Sequence, residues 1–136
     1  MSVADQMKHE DAWATVFNLG TLEHVWDVHR AHCNSARMVK LHGYFLGHVP
    51  VAGWEGHCIH ITDWRFVLQF YRLNGFTLED FWLTDQGGAE VQPPVSRNGG
   101  KSLLLWFAAR RHDVSTRNWE APSQVYVDGR KPQTPA

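Results

Sequence analysis

Apolar stretches with strand character alternate with helical ones along this chain, and no other feature restricts its fold so tightly. Ala12–Asn18 (AWATVFN) is apolar, rich in strand formers and ends at a turn of Leu19, Gly20 and Thr21. That is the pattern of a buried strand. From about Glu23 to Lys40, Val25, Val28, His32, Ser35, Ala36 and Val39 recur at steps of three and four, which predicts a helix. Glu23 and Asp27 stand near its start and Arg37 and Lys40 near its end, an order that suits the helix dipole. His42 and Gly43 close it. Tyr44–Val49 reads as a second strand stopped by Pro50, and 50–61 as a loop. Thr62 is the expected N-cap of a second helix. Trp64, Val67, Leu68, Tyr71 and Arg72 form its inner face, which Phe70 and Leu73 widen, and Asn74 and Gly75 form its C-cap. Phe76–Thr84 and Lys101–Arg111 read as the third and fourth strands. Between them, 85–100 is a long loop with paired glycines and prolines.

The order strand, helix, strand, helix, strand, loop, strand implies an α/β fold, because right-handed crossovers lay helices on a parallel sheet. The last two strands have no helix between them and can pair antiparallel. The expectation is a mixed sheet of about four strands with two main helices. Val16 and Phe17, Tyr44–Leu46 and Leu103–Phe107 are apolar on both faces, so the strands call for cover on both sides. Two successive right-handed crossovers put both helices on one face. The other face is then bare unless the stretch 112–136 or a partner covers it. The first strand also lacks a neighbour on one edge. Residues 1–11 read as a polar lead-in, 12–111 as half of a larger doubly wound domain, and 112–136 as a polar tail with little fixed structure.

The chain has 136 residues, enough for one domain with a real core. Thirteen Lys and Arg against fourteen Asp and Glu leave a net charge of -1, so no basic stripe is available for nucleic acid. No apolar run is long enough to span a membrane, and the polar start from Met1 to Glu10 is unlike a signal peptide. Two cysteines, Cys33 and Cys58, are too few for a disulfide scaffold and read as reduced thiols of a cytoplasmic protein.

Nine histidines and seven tryptophans are the unusual counts. His57, Cys58 and His60 share a loop, with His48 just before it, and three readings stay open. An imidazole here could accept a proton in a pocket, since it titrates near neutrality. The group could hold zinc together with His29, His32 or Cys33, although zinc needs four convergent ligands. Or they are polar loop residues. Among the tryptophans, Trp64 and Trp106 suit a core, while Trp54, on a glycine-bearing loop, suits contact with a ligand or partner. Neither cysteine has a base at fixed spacing, which argues against a catalytic thiol.

The segment Val16–Asp27 (VFNLGTLEHVWD) resembles the strand-four region of class I S-adenosylmethionine-dependent methyltransferases, where a strand ends in a turn with an acidic residue followed by His. Ala36–Leu46 (ARMVKLHGYFL) is similar to the family's helix, Lys-Pro-Gly-Gly and strand five, with Leu41 and His42 where Pro and Gly are usual. The loop with Pro50, Gly56, His57 and His60, the joint Phe70–Phe76 and the segment Lys101–Trp106 resemble the parts that follow, ending in an antiparallel strand. The resemblance covers roughly 12–111 and implies the carboxyl-terminal half of a Rossmann-like fold. It implies methyl transfer from S-adenosylmethionine to a small acceptor. Asn18, Leu19, Gly20, Thr21 and Glu23 would face the cofactor, and His24, His57 and His60 would serve as acid–base groups. Pro50 and Trp54 would face the acceptor. The glycine-rich turn that holds most of the cofactor is missing. Gly87–Gly88 and Gly99–Gly100 do not join a strand to a helix. A few contacts from one turn do not offset the freedom lost on binding. The expectation is therefore a truncated protein, inactive alone or dependent on a partner. The other expectation is a non-catalytic remnant that forms a homodimer, or binds a partner, through its bare sheet face.

Overall fold

The computed structural model describes residues 9–92 and 102–114. Their elements are β1 (Trp13–Leu19), α1 (Val28–Arg37), β2 (Val39–Ala52), α2 (Trp64–Leu73), β3 (Phe76–Asp85), β4 (Glu90–Val91) and β5 (Leu103–Arg111), with a 3-10 turn at Leu22–His24. They form one sheet in the order β1-β2-β5-β3-β4. β1 and β2 run parallel, and β5 enters antiparallel between β2 and β3. The chain thus has the expected α/β architecture, a mixed sheet with two helices.

The boundaries differ from the sequence pattern for local reasons. The first helix begins only at Val28, where Asp27 Oδ1 accepts the Arg30 amide at 3.0 Å and so caps it. It ends before Val39, which is fully buried in β2 opposite Trp13. β2 is longer than Tyr44–Val49 and runs through Pro50. Its neighbour β1 has ended at Leu19, opposite His48, so Pro50 has no strand on that flank, a setting that tolerates a missing N–H. Gly43 sits in an irregular stretch of the β1–β2 pairing, where a Cβ would stand 2.7 Å from the Ala14 carbonyl oxygen. The second helix is capped by Asp63, not Thr62, through Oδ1 and the Arg65 amide at 2.8 Å. Phe70 is buried as expected, whereas Arg72, expected on the inner face, is exposed. The sheet has five strands, not four, because Asp85 Oδ1 accepts the Gly87 and Ala89 amides and turns the chain back into β4.

Both helices lie on one face. Cys33 and Ala36 of α1 and Val67, Leu68, Phe70 and Tyr71 of α2 share a core with Phe45, Val49, Leu83, Leu105, Phe107 and Ala109 of the sheet. His32 Nδ1 and the Tyr71 hydroxyl meet at 2.9 Å and tie the helices together. Gly47 lies under this core, where a Cβ would fall 2.8 Å from the Phe107 ring. Asp11, just before β1, is pinned by Arg111, which is 2% exposed. Its guanidinium donates to Asp11 Oδ1 at 2.6 Å and to the carbonyls of Arg37 and Val39.

Alternation along the strands sends every second residue to the opposite face, which no helix among the described residues covers. There Leu19, His48, Trp106 and Trp82 stand side by side on four strands in register. Trp82 and Trp106 stack at 6.2 Å, and His48 lies 4.6 Å from Trp106. Trp106 is therefore half-buried on the open face and not a core residue, although its indole N–H donates to Thr84 Oγ1 at 2.9 Å. Phe17 and Leu19 are 63% and 60% exposed. β1 is an edge strand. Residues 1–8 and 115–136, most of the expected lead-in and tail, lie outside the described residues.

Candidate functional site

In an open α/β sheet, ligands bind beyond the carboxyl ends of parallel strands. Here those ends are Leu19 on β1 and the His48–Pro50 stretch of β2. Asn18 builds the turn that follows β1. Its buried Oδ1 accepts the Thr21 and Leu22 amides, each at 3.2 Å, and its Nδ2 donates to the His48 carbonyl at 3.3 Å. The side chain is thereby committed to shaping the turn, so only its backbone could face a cofactor. Gly20 follows at φ 87°, a left-handed conformation natural to glycine. A Cβ here would stand 3.4 Å from both Glu23 Oε1 and His48 Cε1. The carboxylate and the imidazole therefore converge beside Gly20.

Glu23 lies on the 3-10 turn, its side chain 7% exposed. Its backbone carbonyl accepts the amides of Ile59 and His60, at 3.1 and 3.0 Å. These bonds fold the loop after β2 back over the turn and bring His57, Cys58 and His60 to the strand ends. The rings of His24 and His57 meet edge to face at 5.3 Å. His60 Nε2 donates to the Trp26 carbonyl at 2.6 Å. Trp54 packs against His57 at 5.4 Å, but its indole N–H donates to the Leu103 carbonyl at 3.0 Å, which anchors the loop to β5. Pro50 is buried beneath. Thr21 makes no side-chain cap and is exposed.

The electrostatics favour a neutral His48 and protonated thiols. Burial lowers the His48 pKa, and the negative charge of Glu23 opposes that only in part. Burial and then Glu23 and Glu55 push the Cys58 thiol up, which disfavours a thiolate nucleophile. Burial likewise raises Cys33, which lies 3.7 Å from His29 Nε2. Among the described residues no three His, Cys, Asp or Glu side chains converge as metal ligands, so the zinc reading finds no geometry there. The glycines Gly87 and Gly88 sit in the β3–β4 hairpin, away from any helix start.

The structure brings Asn18, Gly20, Glu23, His24, His57 and His60 to one end of the sheet and adds His48. Pattern reading placed His48 only beside the loop. Its register opposite Leu19 carries it to the turn, and register needs the paired strand to be known. The chain matches no protein-family model, and no curated protein is detectably similar to it. Among the described residues no helix is long and apolar enough to cross a membrane.

Proposed function

We propose that this chain is the carboxyl-terminal half of a class I methyltransferase-like unit, in which a methyl group passes from S-adenosylmethionine to a small acceptor at the ends of β1 and β2. The observation that carries the reading is the open Gly20 turn, with Glu23 Oε1 and His48 each 3.4 Å from its missing Cβ. The antiparallel entry of β5 and the uncovered face and edge of β1 also support it. The residues fit one end of such a cofactor. The backbone of Asn18, Leu19 and Gly20 would receive its methionine end, and the Glu23 carboxylate complements positive charge there. When bound, the cofactor supplies an electrophilic methyl group. His24 and His57 are placed to take a proton from the acceptor, while His60 holds the Trp26 carbonyl and acts as a positioning residue. Among the described residues nothing at this end cradles a nucleotide, so in this reading a glycine-rich strand, turn and helix come from another segment or chain. Free cysteines suit the cytoplasm.

Calorimetric titration of the folded chain with S-adenosylhomocysteine, with the solution mass of the same sample measured, tests this. Heat is expected only where the missing half is supplied, by an oligomer or a partner. Micromolar binding by a monomer overturns the dependence on a second half. Affinity unchanged by Gly20→Val overturns the site.

A second reading is a protein that binds another copy of itself through the uncovered face. The cross-strand row of Leu19, His48, Trp106 and Trp82 favours it, since apolar surface of this kind marks interfaces.

A further inference from the structure

Behind the turn, on the helix side, lies space that methyl transfer does not use. An apolar groove of about 340 Å³ runs between α1 and α2, walled by Val28, Phe66, Val67 and Phe70, with His29 and His32 beside them. A smaller cavity of about 10 Å³ adjoins it, room for one group the size of a water molecule. Val28, His32, Thr62 and Val67 line both, so groove and cavity are neighbours that share a wall of side chains. Glu23 lines the inner end. Its side chain is more than nine-tenths buried, and Oε2 has no hydrogen-bond partner among the described residues. Its ion pair among those residues is with the half-exposed His24, 3.9 Å from the other oxygen.

A buried carboxylate oxygen without a donor is destabilising, and a ligand that brings a charged donor removes that cost. We propose that groove and cavity form one binding site for an aryl-alkyl amine, its rings between the helices and its ammonium group against Glu23. A cavity of about 150 Å³ accepts one benzene ring, so the groove has room for a body of about two rings. The inner cavity matches an ammonium group in size, and Glu23 repels an acid. His32 adds no opposing charge, because its Nδ1 is engaged by Tyr71 and burial keeps the ring neutral. The site requires neither the cofactor nor the missing half.

Amide NMR shifts of the whole folded chain, titrated with tryptamine, 3-ethylindole and indole-3-propionate, test the assignment. Tryptamine is expected to move the amides of Val28, His32, Phe66 and Val67. The neutral 3-ethylindole should bind about tenfold more weakly, the loss of one charged hydrogen bond, and the acid not at all. Glu23→Gln should weaken tryptamine by about tenfold and leave 3-ethylindole unchanged. Val28→Trp should fill the groove and weaken both. Equal binding of tryptamine and 3-ethylindole overturns the proposal. So does absence of tryptamine binding, or shifts confined to the Trp82 and Trp106 face. The three ligands are compared on the unaltered chain, so the result stands even where a variant fails to fold. Tryptamine binding without S-adenosylhomocysteine binding separates this site from the methyl-transfer reading.

Discussion

The two faces of the sheet are built from the same strands and nearly the same residue types, yet they meet opposite fates. On one face Phe45, Leu105, Phe107 and Ala109 are sealed beneath α1 and α2. On the other, Trp106 lies one residue from Leu105 and Phe107 along β5, Trp82 lies one residue from the buried Leu83 along β3, and both face outward together with Leu19 of β1. Hydrophobicity alone therefore says where burial is needed, not where this chain supplies it. The stability of the chain should rest on the covered face, and what it binds should be written outside that sealed core, on the open face, at the strand ends and in the groove between the helices.

The largest expected effect comes from hollowing the covered face. Phe45 is fully buried, and its ring packs on Tyr71 at 5.0 Å and on Phe107 at 5.8 Å. Phe45→Ala should cost about 4 kcal/mol, through lost transfer energy and the cavity left behind. Urea unfolding measures it, and a loss below about 1 kcal/mol would mean that this face is not the core.

The next effect is a pH dependence seated on the same face. Burial first, and then the neighbouring His29, hold the His32 pKa at about 4, against 6.5 in the unfolded chain. Between those values the unfolded chain carries a proton on this residue that the fold refuses. Stability should therefore fall as pH drops from 6.5 towards 4 and level off below. The full loss is about 3 kcal/mol. Urea midpoints at a series of pH values in that window check it. His32→Leu should remove most of the slope, and an unchanged slope would place the proton uptake elsewhere, His48 being the next candidate.

Much of this division was legible in the alternation of strands and helices. Two helices joined by right-handed crossovers cover one face only, whatever their boundaries, and the doubly apolar runs at Tyr44–Leu46 and Leu103–Phe107 announced the bare one. Ends were less legible, because they depend on single hydrogen bonds. Asp27 and Asp63 cap the helices at residues where the periodicity alone reads on or starts a residue early. The site was half legible. Asn18, Gly20 and Glu23 share a local turn, so proximity in sequence found them. His48 and Glu23 meet only through parallel pairing across 25 residues of chain, and the groove exists only once α1 and α2 are side by side. Cross-strand register and helix packing leave no local signature.

The smallest effect on stability should come from the open face, and there the comparison is sharpest. Phe17→Lys with Leu19→Lys places two charges where solvent already reaches, so unfolding of the isolated chain should change by no more than about 1 kcal/mol. The same pair should act strongly on any assembly through this face, because two copies would bury the new charges against each other's apolar rows. Solution mass against concentration reads the outcome. A dimer that becomes a monomer, with its unfolding otherwise unchanged, assigns the bare face to a second copy. A dimer that survives both lysines uses another surface. An unaltered chain already monomeric at high concentration overturns self-association and leaves Phe17, Leu19 and Trp82 to a different protein. Under the proposed function, a segment that completes the fold would then be the first such partner to test, since it would approach the same free edge of β1.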